Sequence, residues 1–340
     1  MLVLKKNLTK YCLMAILVMV PWFTNHATST GAPNPVSSNE SSSDIDIRII
    51  FPRAFGIAVN QVGYMQGGSL EATDGPWRAG IRRDFDVRDY RPMAEVGKAV
   101  GIRFMSLFAL AEMDRLNVVA RLPYATQAGH NFDNHHNISN RQLEIMDYVK
   151  NNASHIEFGV TGVGHEWWEN GVKTRSEWYS LTHKTPRPDS LMLMHMDVIR
   201  NILWQYGISE ENGHSFPESF SALGFHWNPS GPFSTGKLFS DAGVKYVTTK
   251  FYIIPELNPP PQYSGGFDHG VLVLDREGYG NLWHTYGDIP HEGAEAYDVD
   301  LIESHWANWL AEDDFLQEAL NNRWIEYFRS IQAYPYRYLA

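Results

Sequence analysis

The stretch HIEFGVTGVGHEWW, residues 155–168, joins a short apolar run to a glycine-rich turn that delivers polar and aromatic side chains. The apolar half is typical of a strand buried on both faces, as in a parallel sheet. Gly162 and Gly164 then loosen the chain before His165 and Glu166. Because the reactive groups of parallel α/β folds lie at the carboxyl ends of strands, this stretch predicts a fold class and also where the chemistry lies.

Apolar runs of this kind alternate with longer segments of helical period through the rest of the chain. Seven candidate strands cover 54–64, 102–110, 155–164, 220–227, 244–251, 270–275 and 281–289. Apolar residues at three- and four-residue spacing predict helices over 93–100, 139–149, 190–206 and 313–331, with Ser139 and Ser190 as amino-terminal caps. The alternation predicts an α/β fold, an irregular (β/α)-barrel of about seven parallel strands, formed by residues 46–340 as one domain.

The first 45 residues are predicted to lie outside this barrel. Residues 1–29 place three lysines before the apolar run 11–23 and end in small residues, which is the layout of a secretory signal peptide. Residues 30–45 form a Ser- and Pro-rich linker. We therefore expect a secreted or extracytoplasmic protein, in the periplasm or at the cell surface, with membrane attachment only through an uncleaved signal anchor.

Composition narrows the class of partner. The chain has 39 acidic and 28 basic residues, a formal charge of −11, and no run rich in Lys and Arg, so it lacks the electrostatic footprint of a nucleic-acid-binding protein. The single cysteine, Cys12, lies within the predicted signal peptide, which excludes disulfides from the mature protein. Aromatic residues make up 13% of the chain, and such rings suit core packing as well as stacking on sugars.

Polar side chains gather at the predicted strand ends. This set comprises Asn60, Gln61, Tyr64, Thr161, His165, Glu166, His226, Trp227, Asp288, His291, Glu292, His305, Trp306 and Asn308. Single histidines at strand ends are often structural, and the tryptophans are also explained by packing at a barrel rim. Convergence of several histidines at one end of the barrel favours a shared site over scattered structural roles.

Three stretches in this order, FGIAVNQVGY (55–64), IEFGVTGVGHEWW (156–168) and LIESHWANW (301–309), resemble the polysaccharide deacetylase superfamily of NodB-homology, carbohydrate esterase family 4 type. The resemblance implies a barrel of the glycoside hydrolase/deacetylase type, a glycan substrate and a zinc-like divalent metal. In that family two adjacent aspartates end the first strand, an H-x-x-x-H motif ends a later one, and a late histidine acts as general acid. The metal lowers the pKa of bound water and the first aspartate removes its proton.

The family pattern maps residue by residue onto this sequence. The implied catalytic residues are Asn60 as base and His305 as acid, and the implied metal ligands are Gln61, Thr161 and His165. The implied substrate-binding residues are Trp167, Trp168, His226, Trp227 and Trp306. Three positions depart from the pattern, because Asn60, Gln61 and Thr161 replace two aspartates and a histidine, and amides and hydroxyls are neutral, weak ligands for such metals.

Three functions remain open at this point. The first is a deacetylase-like hydrolase acting on an acetylated glycan, with a metal site rearranged around His165, Glu166 and His226. The second is a carbohydrate-binding relative that has lost hydrolysis and binds no metal. The third is a glycoside hydrolase with two acids, Glu166 paired with Asp288 or Glu292, which requires carboxyl groups about 5–10 Å apart.

Overall fold

In the computed structural model of the chain, the described residues are 53–63, 85–134, 140–164, 166–175, 177–180, 182–212, 217–221, 227, 235–250, 266–278, 287–290, 301–333 and 337–339. All of them belong to one structural unit, Ile50–Ala340. The predicted signal peptide and linker, residues 1–45, lie outside the described residues.

Strands and helices alternate along the described chain. The strands are β1 (Arg53–Val62), β2 (Phe104–Ala109), β3 (Ile156–Gly162), β4 (Glu166–Glu169), β5 (Val172–Arg175), β6 (Tyr179–Ser180), β7 (Thr185–Pro186), β8 (Ser219–Ser221), β9 (Tyr246–Thr249), β10 (Gly266–Asp268), β11 (Val271–Gly278), β12 (Leu301–His305) and β13 (Arg337–Leu339). The α-helices are α1 (Arg91–Val100), α2 (Asn140–Asn151), α3 (Asp189–Trp204), α4 (Thr235–Asp241) and α5 (Asp314–Gln332). None of the described helices is long and apolar enough to cross a membrane.

Seven of the described strands close into a parallel barrel. Their order is β1–β2–β3–β8–β9–β11–β12, and β12 returns to pair with β1. Every neighbouring pair round this ring is parallel. The predicted (β/α)-barrel of about seven parallel strands is therefore confirmed, and the carboxyl ends of all seven strands lie at one rim, which we call the mouth.

The barrel wall separates two apolar layers. A small cluster of Ala58, Met105, Leu107 and Leu301 fills the interior, with Tyr246 packed against it. The outward-facing residues of the same strands belong to a much larger core, which they share with the helices. This double burial explains the continuous apolar runs in the sequence, and all six residues of β2 are buried.

Aromatic packing fixes the end of β12. The last helix, α5, lies within one residue of its predicted bounds and buries Leu320, Trp324 and Phe328. The Trp324 ring stacks on Trp309 with centroids 4.2 Å apart, and Phe104 of β2 meets Trp309 at 4.8 Å. Trp309 belongs to a 3-10 turn, Trp306–Trp309, that directly follows His305. The buried face of α5 thus packs against the turn that follows His305 and holds this strand end in place.

The predicted seventh strand, 281–289, is not the strand that closes the barrel. Residues 287–289 form no strand, 281–286 lie outside the described residues, and the seventh barrel strand is β12. β12 carries Glu303 and His305 on one face and reads as less apolar, although its end was predicted to supply His305, Trp306 and Asn308. Ser190 is also not a cap, because α3 begins at Asp189 after Pro188.

The β4–β5 hairpin was not predicted from the sequence. Its two-residue turn is Asn170–Gly171, and both residues have positive φ, 51° and 76°, as a type I′ turn requires. The Asn-Gly pair was therefore an available signal. The hairpin lies between β3 and α3 and carries Trp167 and Trp168.

Candidate functional site at the barrel mouth

The carboxyl ends of the barrel strands bring together a compact polar group, which we call the mouth cluster. Its members are Asn60, Gln61, Lys250, Arg276, Glu303 and His305. They come from β1, β11, β12 and the residue after β9, which are neighbours only because the barrel closes. Five of the six are buried, and the Lys250 side chain is 17% exposed.

Glu303 is the centre of the mouth cluster and is 2% exposed. Its Oε1 accepts a hydrogen bond from Asn60 Nδ2 and lies 3.4 Å from His305 Nε2. Its Oε2 lies 3.4 Å from Lys250 Nζ and 3.8 Å from Arg276 Nε. Burial alone raises the pKa of Glu303, but Arg276, His305 and Lys250 outweigh burial and hold that pKa well below its usual range. Glu303 is therefore an ionised carboxylate surrounded by donors.

Asn60 is bonded on both sides of its amide. Nδ2 donates to Glu303, and Oδ1 accepts from Arg276 Nη1 at 3.0 Å. The backbone of Asn60 pairs with His305 in the β1–β12 register, so the predicted base and acid positions are neighbours across two strands. An amide cannot take up a proton near neutral pH, and here both of its polar atoms are already engaged.

Gln61 reaches His305 through an unusual backbone conformation. Its φ is 59°, in the left-handed region, and the β1–β2 register shifts between Val59 and Val62. Gln61 Oε1 lies 3.3 Å from His305 Nδ1. Together with Glu303 on the other side, this gives each nitrogen of the His305 ring a polar neighbour.

Thr161, the second predicted metal position, turns to the other side of the barrel. Thr161 Oγ1 donates to the backbone oxygen of Ser221 on β8 at 3.2 Å, whereas Gln61 points toward β12. His165, the third predicted ligand, lies outside the described residues. The structure thus directs Gln61 and Thr161 in opposite directions round the mouth.

The described residues do not fit the metal centre that the deacetylase resemblance implies. Gln61 and Thr161 offer a neutral amide and a neutral hydroxyl, and both are engaged in hydrogen bonds. The carboxylate at the mouth, Glu303, already has Arg276 and Lys250 beside it as counter-ions. In the described part of the chain, no group of three or more His, Cys, Asp or Glu residues has the arrangement of a metal site.

The predicted sugar-binding tryptophans differ in exposure. Trp167 is 5% exposed, its ring stacks on Tyr124 at 3.9 Å, and the Arg187 guanidinium lies over it at 3.5 Å. Both faces of this indole are therefore covered by protein. Trp168, the next residue, is only partly buried.

Trp227 and Trp306 are enclosed in the packing around the barrel. Trp227 is 0% exposed and donates from Nε1 to Asp268 at 2.9 Å. Trp306 is 1% exposed and donates from Nε1 to the backbone oxygen of Asp89 at 3.2 Å. These two indoles are packing groups in this arrangement. The predicted His226 lies outside the described residues.

The acid pairs of the glycoside hydrolase hypothesis are only partly visible. The backbone of Glu166 begins β4 but its side chain lies outside the described part, as does Glu292. Asp288 Oδ1 accepts from the backbone N–H of Ile289 at 3.0 Å. This contact is a local turn interaction, and it does not link Asp288 to the mouth cluster.

A buried carboxylate fixes the loop that leaves β3. Glu177 is 0% exposed and accepts from Val163 N at 2.9 and 3.1 Å and from Gly164 N at 3.2 Å. A Cβ on Gly164 would lie 1.7 Å from the backbone oxygen of Ala125, so this position requires glycine for close approach. The loop is therefore held from two sides.

Three members of the mouth cluster were not predicted as site residues from the sequence: Lys250, Arg276 and Glu303. For Glu303 a signal existed, because a residue two positions before His305 on a strand shares its face. Arg276 and Lys250 each read as an ordinary charge after an apolar run. Their meeting depends on the pairing of β11 with both β9 and β12, which no local pattern encodes.

Comparison with known proteins gives a weak structural likeness. No family model matches the chain, and no curated protein matches it. A solved structure that does match is the crystal structure of 4-alpha-glucanotransferase from Thermococcus litoralis, with 13% sequence identity, a TM-score of 0.44, and coverage of 86% of this chain and 39% of that chain. This chain therefore spans about two fifths of the length of that enzyme. At this similarity, nothing follows about the activity of this chain.

Proposed function

We propose that the chain is a secreted carbohydrate-binding barrel protein, similar in design to polysaccharide deacetylases, that recognises acetylated glycan at its mouth without a metal centre. The mouth cluster would bind sugar hydroxyl and acetamide groups through its fixed donors and acceptors. Trp168, on the hairpin that follows β3, would supply an aromatic face for a sugar ring.

The single observation that carries this proposal is that Asn60 is an amide bonded to both Glu303 and Arg276. In a deacetylase this position needs a carboxylate that can accept a proton from metal-bound water. Here it holds an amide whose two polar atoms bond Glu303 and Arg276. A neutral amide cannot act as the base, but it can hold Arg276 and Glu303 in place for ligand binding.

Calorimetric titration of the purified chain in the presence of a chelator tests the proposal. The ligands are N-acetylated chito-oligosaccharides and O-acetylated xylo-oligosaccharides, each compared with its deacetylated form. We expect saturable binding that the chelator does not change and that Asn60→Leu weakens at least about tenfold, the equivalent of about 1.4 kcal/mol. The control is Glu218→Gln, which changes a partly exposed residue before β8 at the other end of the barrel and leaves binding unchanged.

Two outcomes contradict the proposal. Acetate release that requires a metal identifies the chain as an active deacetylase and restores the first hypothesis. Absence of binding to every glycan in the set, with the chain folded by circular dichroism, removes carbohydrate recognition altogether.

A second candidate is metal-independent hydrolysis by Glu303 and His305. The observation that favours it is their contact, His305 Nε2 to Glu303 Oε1 at 3.4 Å, with Glu303 held ionised. A carboxylate and an imidazole in contact can share acid–base work. Release of acetate or reducing ends in chelator, lost in His305→Asn, would support hydrolysis over binding alone.

A further inference from the structure

We propose that Gln61 is a positioning residue for His305, and that the backbone irregularity in β1 exists to place the Gln61 amide against the His305 ring. This inference rests on the proposed function, because it assigns His305 to the ligand site. It concerns a described pair, Gln61 Oε1 and His305 Nδ1, 3.3 Å apart.

The first support is the backbone of Gln61. A φ of 59° in a residue other than glycine, asparagine or aspartate is uncommon and costs free energy. Gly63, two residues later, has a φ of 72°. Because strained non-glycine residues cluster at functional sites, a long amide side chain here indicates that the side chain itself is needed.

The second support is the direction of the side chains along β1. In a regular strand, alternate residues face the same side. Ala58 belongs to the barrel interior and Val59 to the outer core, so Asn60 should face inward and Gln61 outward. The register shift between Val59 and Val62 breaks this alternation, and Val62 packs in the outer core. Asn60 and Gln61 therefore both face the mouth, which is the effect of a bulge that re-aims a side chain.

The third support is the environment of His305. Its Nε2 faces Glu303 Oε1 at 3.4 Å, and its backbone N–H donates to Asn308 Oδ1 at 2.8 Å. His305 as a whole is 3% exposed. An amide can present either its oxygen or its NH₂ group, so Gln61 can pair with Nδ1 whether that nitrogen carries a proton or not. An aspartate at this position could only accept.

Gln61→Asn tests this role with little change to the backbone, because asparagine adopts the left-handed region more readily than glutamine. The shorter side chain keeps the amide but cannot reach His305. We expect a melting temperature within about 2 °C of the wild type, at least a tenfold loss of acetylated chito-oligosaccharide affinity, and an altered imidazole ¹⁵N signal from His305. The matched control is Lys184→Asn, an exposed residue with a φ of 53°, which changes none of the three.

Each result decides the matter. Unchanged affinity and an unchanged His305 signal in Gln61→Asn overturn the inference. A fall in melting temperature above about 5 °C makes Gln61 a residue that supports the fold and overturns it as well. If the wild type binds no glycan, the proposed function fails, but the His305 signal still tests the positioning role by itself.

Discussion

The Glu303 carboxylate is the buried negative charge around which the polar residues of the barrel mouth are arranged. Its partners are Asn60, Arg276, Lys250 and His305, and each presents nitrogen to the carboxylate. A buried ion pair is weak evidence of net stabilisation, since desolvation offsets much of the attraction. Removing one partner is different, because it leaves the opposite charge buried without compensation. Glu303 thus links the stability of the barrel to the chemistry of its mouth.

Glu303→Gln should destabilise the chain by about 3–5 kcal/mol, because the shape is kept while Arg276 loses its buried counter-ion. Urea unfolding measures this difference. The control is Glu218→Gln, whose partner Lys245 and own side chain are 65% and 41% exposed, and which should cost less than about 1 kcal/mol. Equal effects of the two changes would mean that the mouth cluster is hydrated like a surface pair.

His195 on α3 provides a second buried titratable group. It is 0% exposed, its Nδ1 donates to the Leu191 backbone oxygen at 3.0 Å, and its Nε2 lies 3.3 Å from Glu177 Oε1 without the geometry of a hydrogen bond. Burial lowers the pKa of His195 from 6.5 to about 4; the Leu191 oxygen opposes this shift and the charge of Arg187 adds to it. The neutral ring is therefore the form that the fold holds.

The lowered pKa of His195 makes the stability of the folded chain depend on pH. Between pH 6.5 and about 4 the unfolded chain binds a proton at His195 that the folded chain does not, so stability falls as the pH falls through this window. The loss from this group reaches about 3 kcal/mol. His195→Phe should remove that part of the pH dependence in urea unfolding, whereas His183→Gln, at an exposed position, should not. A wild type that gains stability on acidification relative to His195→Phe would show that Glu177 keeps His195 charged.

At the scale of elements, the sequence predicts regular strands better than it predicts their irregularities. β1 was expected at 54–64 and spans Arg53–Val62, and β3 was expected at 155–164 and spans Ile156–Gly162. A continuous apolar run indicates a strand that is buried on both faces, and this pattern can be seen in the local sequence. The bulge at Gln61 depends on the pairing of β1 with β2, which is distant in sequence. The residues Asn-Gln-Val-Gly at 60–63 therefore do not predict it.

The loop after β3 shows how one glycine can set the position of an element. Gly164→Ala should destabilise the chain by several kcal/mol, because its Cβ would lie 1.7 Å from the Ala125 oxygen and the loop bound by Glu177 would have to move. Gly171→Ala is the control, with a φ of 76° and no atom within 4 Å of its Cβ, and should cost only about 1–2 kcal/mol for a side chain in the left-handed region. Thermal unfolding of both variants makes the comparison, and a similar small cost for each would show that the loop is free to shift.

At the scale of the whole molecule, closure of the barrel creates the candidate site. The Asn60–Glu303 bond joins residues 243 positions apart, and the Asn60–Arg276 bond joins residues 216 apart. Periodicity predicts β1 and the rule of carboxyl ends predicts the rim, so Asn60 and Gln61 could be placed at the mouth from sequence. His305 was expected there from the stretch 301–309, although β12 itself was not among the seven predicted strands. The partners that define their chemistry could not, because the ring order of β9, β11 and β12 decides which charges meet.

The metal dependence of the whole fold gives the last prediction. A bound metal stabilises a protein by mass action, so its removal lowers the melting temperature. Because Gln61 and Thr161 bond His305 and Ser221, and Glu303 is paired with Arg276 and Lys250, we expect a chelator or added zinc to change the melting temperature by less than about 1 °C. Thr161→Val, which removes the predicted hydroxyl ligand, should behave like the wild type in the same titration. A chelator-induced fall that zinc reverses in the wild type but not in Thr161→Val would place a metal at the mouth and contradict a metal-free site.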